Sequence, residues 1–325
     1  MLRGLRELGW DTNLHRLDPG FPNPSAGALA HAAGRLTGIP SGRTVMLDGL
    51  AMGAMPEMVA AESRRLKLIS LVHHPLAEET GLSAERAEAL RSSERRALAA
   101  ARHVVVTSRY TAGLVAGLGI APEHISVVEP GTDPAPLAQG SGGSTRNLLC
   151  VASITRRKGH TVLLDALADL KDRDWRLTCV GSLRQSPATV AELRERIAVL
   201  DLEGRVTLTG EVTDASLAGF YDNADIFVLA TYFEGYGMAL AEALAWGLPV
   251  VSTRTGAVTE TVPKDAGLLV PPHDPRALAA VLADAMDDPG LRRRLSQGAR
   301  AAGSRQSSWE TAARRMAEVL RAVDT

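Results

Sequence analysis

Residues 231–251, TYFEGYGMALAEALAWGLPVV, decide the predicted fold of this 325-residue chain. An apolar run at residues 226–230 precedes this stretch, and a second apolar run at residues 248–252 overlaps its end. The periodicity predicts a strand, a tight glycine loop, a helix that stops at Gly247, and another strand. The stretch is therefore predicted to be one β-α-β unit.

Two carboxylates flank the predicted start of this helix. Gly235 and Gly237 leave room for a ligand beside the backbone, and the free N–H groups of a helix start suit an anion such as phosphate. Glu242 follows Glu234 by eight residues, which corresponds to roughly 12 Å along a helix axis. Because that distance is too long for one shared metal ion, the two carboxylates are predicted to contact different parts of an elongated ligand, or no ligand at all.

The composition is that of a globular protein without an obvious electrostatic target. The chain is 45% hydrophobic and 22% charged with a net charge of -1, which offers no argument for nucleic-acid binding. Apolar runs are too short for a membrane span, and the N-terminal residues lack the pattern of a signal peptide, so the cytoplasm is expected. Cys150 and Cys179 lie in strand-like apolar runs. With no histidine at ligand spacing, they are expected to pack in a core rather than to bind zinc.

Short apolar strands alternate with helical stretches along most of the chain, which predicts parallel sheets covered by helices on both faces. Strands are predicted at residues 11–17, 45–47, 66–72, 103–107, 125–128, 148–152, 176–180, 206–208, 226–230, 250–252 and 268–270, and helices at residues 2–9, 84–101, 274–286 and 309–323. A Gly/Ser-rich segment at residues 134–146 is predicted to be a linker. The predicted domains are residues 1–138, residues 139–308, and a terminal helix at residues 309–325.

A basic turn is predicted at the carboxyl end of the first strand of the second domain. Residues 151–160, VASITRRKGH, place Arg156, Arg157 and Lys158 where ligands bind in open α/β sheets, so these cations are candidates to hold a diphosphate. Seen alone, three adjacent cations are more often a solvated loop. Gly181 is another glycine at a strand end and is a weaker candidate.

Two histidines follow a predicted strand of the first domain. His73 and His74 therefore sit at a carboxyl strand end, although a histidine pair is more often structural. The DxD pattern at residues 172–174 precedes a strand, so it lies at the wrong end of the sheet for a metal-bound diphosphate. A dinucleotide fingerprint is rejected because Leu240 occupies the position of its third glycine.

Together these motifs resemble the family 4 glycosyltransferases, which are retaining enzymes of the GT-B fold. The resemblance covers residues 45–325 and rests on an ordered set of segments. These are VVEPGTD (127–133), Lys158-Gly159, FYDNADIFVLAT (220–231), the E-x7-E pair of Glu234 and Glu242, TGAVTETV (255–262) and GLLVPPHDPRALA (267–279).

The resemblance implies two doubly wound, Rossmann-like domains that face each other across a cleft, with the last helix crossing back to the first domain. It implies that Lys158 holds the donor diphosphate, that Glu242 binds the donor ribose, and that Glu234 binds the transferred sugar. Either His73 or His74 would lie near the donor sugar. The remaining donor-binding positions are Arg156, Arg157, Gly181, Gly235, Tyr236, Gly237 and Met238.

The implied reaction is metal-independent transfer, with retention, of a sugar from a UDP- or GDP-sugar to a hydroxyl group. The nucleotide sugar is then a co-substrate, no cofactor is expected, and the acceptor is a small molecule, a saccharide or a lipid-linked sugar. Relatives with lipid acceptors leave a peripheral membrane contact open. Composition and motifs give no indication of the oligomeric state.

Two departures from the family pattern keep alternatives open. Ser153 stands where the family commonly has an arginine, so Arg156 or Arg157 would have to compensate. The chain also begins inside the helix that would follow the family's first strand and Gly-rich loop. A degenerate, non-catalytic nucleotide- or partner-binding protein, a sugar phosphorylase and a nucleotide-sugar epimerase are the alternatives, although no lysine suits a cofactor-dependent phosphorylase.

Overall fold

The computed structural model describes residues 1–324. Its strands are β1 (Thr44–Asp48), β2 (Lys67–Val72), β3 (His103–Val106), β4 (Ile125–Val127), β5 (Arg146–Val151), β6 (Trp175–Val180), β7 (Val206–Gly210), β8 (Ile226–Leu229), β9 (Val250–Thr253) and β10 (Gly267–Val270). Its α-helices are α1 (Leu2–Glu7), α2 (Ala26–Thr37), α3 (Gly49–Gly53), α4 (Pro56–Glu62), α5 (Ala84–Ala99), α6 (Arg109–Gly117), α7 (His160–Ala168), α8 (Pro187–Val199), α9 (Asp214–Asp222), α10 (Met238–Ala245), α11 (Val258–Thr261), α12 (Pro275–Asp287), α13 (Pro289–Gly303) and α14 (Trp309–Asp324).

The chain divides into two compact units. The first unit is Met1–Gly131 together with the chain from Ser307 onward, and the second is Thr132–Gln306. The predicted linker segment is part of the second unit, where Ala138 N–H donates to the carbonyl of Trp246 at 2.9 Å.

The first unit is built on a parallel sheet in the order β1-β2-β3-β4. Apolar side chains of β2 and β3 are buried on both faces because helices cover both sides of a parallel sheet. On one face, Ile69 and Val105 pack with Leu5 of α1 and Met316 of α14. The terminal helix α14 is therefore part of the core of this unit.

The second unit is built on a six-stranded parallel sheet in the order β10-β9-β8-β5-β6-β7. Every residue of the central strands β8 and β9 is buried, which explains why both read as unbroken apolar or small-residue runs. In α9 and α12 a short polar side chain caps the first turn: Thr213 accepts from Ser216 N–H at 3.2 Å and Asp274 accepts from Ala277 N–H at 2.9 Å. The prediction of two α/β halves with parallel sheets is confirmed.

One predicted strand is wrong, whereas the others are present. Residues 11–17 form no strand. Leu14 is 58% exposed and most of the segment faces solvent, so the segment has no buried apolar face with which to pack in a sheet. None of the helices within residues 1–324 has both the length and the apolar composition that a transmembrane span requires.

Candidate functional site

The strand order of the second unit creates a switch point between β5 and β8. The chain runs outward from β5 to β7 on one side and from β8 to β10 on the other, and β5 and β8 are neighbours. Helices then leave neighbouring strands toward opposite faces, which opens a crevice at the carboxyl strand ends where ligands of doubly wound sheets bind. The basic turn follows β5, and the loop that holds Glu234 follows β8.

Gly159 allows these two loops to touch. Its backbone has φ +65°, and a Cβ atom placed there would lie 1.9 Å from the carbonyl oxygen of Ala230. Only glycine fits both the left-handed conformation and this close approach. The end of the basic turn therefore lies directly against the end of β8.

Hydrogen bonds join the two loops on either side of this contact. The carbonyl of Arg157 accepts from Tyr232 N–H at 2.7 Å and from the Thr231 hydroxyl at 3.1 Å. The Arg157 guanidinium returns a bond of 2.8 Å to the carbonyl of Phe233. Because both loops contribute backbone groups to these hydrogen bonds, their contact does not depend on flexible side chains alone.

Lys158 and Glu234 meet where the loops after β5 and β8 come together. Lys158 Nζ donates to Glu234 Oε1 at 2.6 Å, and Arg157 Nη1 lies 3.8 Å from the same oxygen. Glu234 is only 5% exposed. Its backbone is fixed by residues that follow β9, since Ala257 N–H donates to the Glu234 carbonyl at 2.8 Å and a Cβ on Gly256 would lie 2.3 Å from it. The structure thus brings together a cation and a carboxylate that both belong to the predicted site.

Glu242 has a different partner. Its carboxylate accepts from the Tyr221 hydroxyl at 2.8 Å, and the Tyr221 ring stacks on Phe227 and on Trp246 with centroid distances of 6.2 and 5.9 Å. Burial raises the pKa of Glu242, and the Tyr221 hydrogen bond opposes this shift. The 12 Å separation expected from helical rise does not apply, because α10 begins only at Met238 and Glu234 lies in the preceding loop.

The start of α10 lies between the two carboxylates in sequence. Gly237 begins the helix with φ +90° and, as a glycine, has no side chain of its own to cap this end. Met238 is 43% exposed, Gly235 is buried, and the Tyr236 carbonyl accepts from the Thr261 hydroxyl at 2.6 Å. The uncapped N–H groups of this first turn are suited to an anion.

Two other predicted residues have different surroundings. Arg156 is exposed, whereas Arg157 bonds the loop after β8. Gly181 packs on the backbone after β5, since a Cβ there would lie 2.1 Å from the Ala152 carbonyl oxygen. The structure therefore gives Gly181 a packing role and singles out Arg157 as the arginine beside Glu234.

The predicted histidines lie in the first unit, at the carboxyl end of β2. His73 is exposed, with Nε2 3.7 Å from the carboxylate of Asp48 at the end of β1. His74 is partly buried, with Nε2 3.7 Å from a carboxylate oxygen of Glu79. Both imidazoles thus lie near a carboxylate.

A buried carboxyl group holds the segment that follows these histidines. Glu94 of α5 is 1% exposed, and its Oε2 accepts from Leu76 N–H at 2.9 Å. Burial raises the pKa of Glu94 to about 7, and the negative charge of Glu78 adds to the shift. This segment is therefore fixed by a group that titrates near neutral pH.

The two cysteines do have a histidine partner, which corrects the expectation from spacing. Cys150 Sγ lies 3.7 Å from His160 Nε2, and Cys179 is the cross-strand neighbour of Cys150. The Cys179 thiol donates to Cys150 and lowers the pKa of Cys150, although burial opposes the shift. The sequence spacing concealed this cluster because β6 and the first turn of α7 approach β5 only in the folded sheet.

Sequence reasoning missed several residues that shape the crevice. Thr231 and Gly256 act through hydrogen bonds and close approach, and Tyr221 acts through its hydroxyl group. All three lie inside segments that carried the family resemblance, which was the available signal.

Comparisons with known proteins agree with this fold. Two family models match the chain: one described as Glycosyltransferase Family 4 over residues 50–136, and one described as Glycosyl transferases group 1 over residues 145–288. Among solved structures, a sucrose-phosphate synthase from Thermosynechococcus elongatus superimposes with a TM-score of 0.79 at 23% identity, covering 95% of this chain and 82% of that one. Anabaena HepE in complex with UDP-glucose superimposes with a TM-score of 0.74 at 20% identity, covering 91% and 82%.

Curated relatives are more similar in sequence. A D-inositol 3-phosphate glycosyltransferase from Xylanimonas cellulosilytica is 33% identical over 70% of this chain, and the match spans 58% of that relative's length. An MMP alpha-(1->4)-mannosyltransferase from Mycolicibacterium hassiacum is 29% identical over 90% of this chain and 74% of its own length.

Two parallel-sheet α/β units of this topology define the GT-B class of proteins. Within that class, the two family models together cover well over half of the chain. The chain belongs to glycosyltransferase family 4, also described as the group 1 glycosyl transferases.

Proposed function

We propose that the protein transfers a sugar from a UDP- or GDP-sugar to a hydroxyl group of an acceptor, with retention at the anomeric carbon. The contact of Lys158 Nζ with Glu234 Oε1 at 2.6 Å, at the switch point of the second sheet, is the observation that carries the proposal. It supports the proposal because Lys158 would hold the donor diphosphate and the adjacent Glu234 would accept hydrogen bonds from hydroxyl groups of the transferred sugar.

The charges and contacts of this crevice support the roles that the family resemblance implies. Lys158, Arg157 and the uncapped start of α10 would stabilise the negative charge that develops on the departing diphosphate. Because fixed cations and N–H dipoles would supply this stabilisation, the reaction would not require a metal ion at the donor. Glu242, held by Tyr221, would accept hydrogen bonds from the donor ribose.

The attacking hydroxyl group belongs to the acceptor. It would approach from the face of the leaving group, with a donor phosphate oxygen taking its proton. His73 or His74 would contact the donor sugar. The names of the two curated relatives support a polyol phosphate or a saccharide as the acceptor, and a lipid-linked saccharide remains an alternative. We place this reaction in the cytoplasm, where nucleotide sugars would serve as co-substrates.

A panel of UDP- and GDP-sugars tests the proposal in two stages. In the first stage, the donor should raise the melting temperature of the protein, because a ligand that binds the native state stabilises it. In the second, the same donor should be consumed in the presence of an acceptor, with and without EDTA. Lys158→Ala should reduce this transfer. Lys171→Ala is its matched control, since Lys171 is an exposed lysine of the same unit.

A non-catalytic nucleotide-binding protein is the second candidate. The observation that favours it is Ser153, which stands at the end of β5 where the family commonly has an arginine. A thermal shift with a nucleotide sugar but no hydrolysis or transfer would support this candidate. No shift with any donor would contradict both proposals.

A further inference from the structure

The second unit contains a buried cluster of two thiols and one imidazole that the proposed donor site does not use. Cys150 lies on β5, Cys179 lies opposite it on β6, and His160 is the first residue of α7. Their exposed fractions are 1%, 2% and 3%. One ligand atom from each residue lies within 4.8 Å of the other two.

The spacing within the cluster fits ligands that share one ion. Metal–sulfur bonds of about 2.3 Å and metal–nitrogen bonds of about 2.0–2.1 Å put a sulfur and a nitrogen on one ion roughly 3.6–3.8 Å apart. The distance from Cys150 Sγ to His160 Nε2 is 3.7 Å. The distance between this sulfur and this nitrogen therefore matches that of two ligands on one ion.

Packing alone does not explain the buried imidazole of His160. His160 is almost fully buried, and its Nδ1 has no hydrogen-bond partner within residues 1–324. A buried polar group without a partner is costly, so a core that needed only packing would be more stable with an apolar side chain here. A metal–nitrogen bond through Nε2, the ring nitrogen that faces Cys150, would offset this cost, although Nδ1 would keep no partner among the described residues.

We propose that Cys150, Cys179 and His160 bind one monovalent copper ion in a three-coordinate site with two sulfur ligands and one nitrogen ligand. Soft thiolate ligands select such cations. Zn²⁺ in structural sites takes four ligands, and no fourth Cys, His, Asp or Glu joins the group within residues 1–324. Binding forms two Cu–S bonds and one Cu–N bond and releases the thiol protons to solvent, with no change in oxidation state.

The bound ion would link three elements of the second unit. It would join β5, β6 and the first turn of α7, and His160 follows Lys158 by two residues. The ion would therefore stabilise the second unit and hold the basic turn in place from the core side. Because its ligands are buried, it would not contact the substrate.

The test uses the reduced full-length protein under anaerobic conditions, with Cu⁺ supplied from a coloured Cu⁺ chelator. We expect one equivalent of Cu⁺ to be withdrawn from the chelator, an ultraviolet thiolate-to-copper absorption band, and a higher melting temperature. X-ray absorption should show two sulfur atoms and one nitrogen atom around copper. Because the chain has 2 cysteines and 8 methionines, the thiolate absorption band and the cysteine substitution together assign the sulfur ligands.

Substitutions identify the ligands. Cys179→Ser and His160→Gln should each weaken Cu⁺ binding at least about tenfold, whereas His124→Gln, which changes an exposed histidine, should have no effect. Circular dichroism checks that the variants fold, and if they do not, X-ray absorption of the unaltered protein decides. Lack of stoichiometric binding, a copper shell without nitrogen, or preferential four-coordinate binding of Zn²⁺ would each overturn the proposal. None of these measurements requires a sugar donor, so the outcome is independent of the proposed transferase activity.

Discussion

The candidate residues of the two units are held in place by different kinds of contact. In the second unit, the loops after β5 and β8 share hydrogen bonds of 2.6–3.1 Å, and backbone groups take part in most of them. In the first unit, His73 and His74 lie 3.7 Å from their carboxylate neighbours, and the following segment is held by the ionisable side chain of Glu94. We infer that the two loops of the second unit are joined mainly through backbone groups, whereas the segment after the histidines in the first unit depends on the protonation of Glu94.

The strongest test of the fixed geometry removes its central cation. Lys158→Ala should reduce transfer by about 10²–10³-fold, because the charge on the departing diphosphate loses its nearest stabilising group. The substitution also leaves the buried Glu234 without its closest cation, so the melting temperature should fall. Turnover and melting temperature are measured for Lys158→Ala and for the Lys171→Ala control.

The double variant Lys158→Ala/Glu234→Gln separates the two effects. It should recover stability, since no uncompensated charge stays buried, but it should not recover transfer. Unchanged turnover in Lys158→Ala would eliminate the assignment of Lys158 to the diphosphate.

The contact between the two loops can be tested without changing a charge. Gly159→Ala should destabilise the protein by about 3 kcal/mol or more, because the position requires a left-handed backbone and the added Cβ would clash with the Ala230 carbonyl. Gly219→Ala is the matched control, since Gly219 lies inside α9 with open space around a Cβ and should gain roughly 0.5–1 kcal/mol. Denaturant unfolding measures both, and equal stabilities would show that the loops tolerate separation.

The first unit should respond to pH through Glu94. Because its pKa is raised to about 7 in the folded state, the folded protein binds the proton more tightly, and stability should fall as pH rises from about 4.5 to about 7. Glu94→Gln should remove this fall, which amounts to about 3 kcal/mol at most. Thermal unfolding across pH 4–8 measures the effect.

Glu88→Gln is the control for Glu94→Gln, because Glu88 lies on the same helix and its side chain is 68% exposed. It should follow the pH profile of the unaltered protein. If Glu94→Gln also follows that profile, the segment after the histidines is not under the control of this carboxyl group.

Local features of the fold could be predicted from the sequence, whereas contacts between distant residues could not. Strands such as β8 were predictable because a fully buried strand needs an unbroken apolar run. The pairing of Lys158 with Glu234 was not, since 76 residues separate them and only the strand order brings them together. The segment at residues 11–17 was mistaken for a strand because residue type alone does not reveal whether a partner strand exists.

The smallest expected effect concerns Glu242. Tyr221→Phe removes the hydroxyl group that donates to Glu242 but keeps the ring that stacks on Trp246 and Phe227, so stability should change by only about 1 kcal/mol. Since that hydrogen bond lowers the pKa of Glu242 against the effect of burial, its loss should raise this pKa further.

Donor binding, measured by calorimetry, should then weaken by roughly fivefold in Tyr221→Phe. The acid limb of the pH dependence of donor binding should move to higher pH, and Tyr110→Phe is the control. A weaker affinity with an unmoved acid limb would show that Tyr221 only positions the Glu242 side chain, and an unchanged affinity would show that this hydrogen bond does not contribute to donor binding.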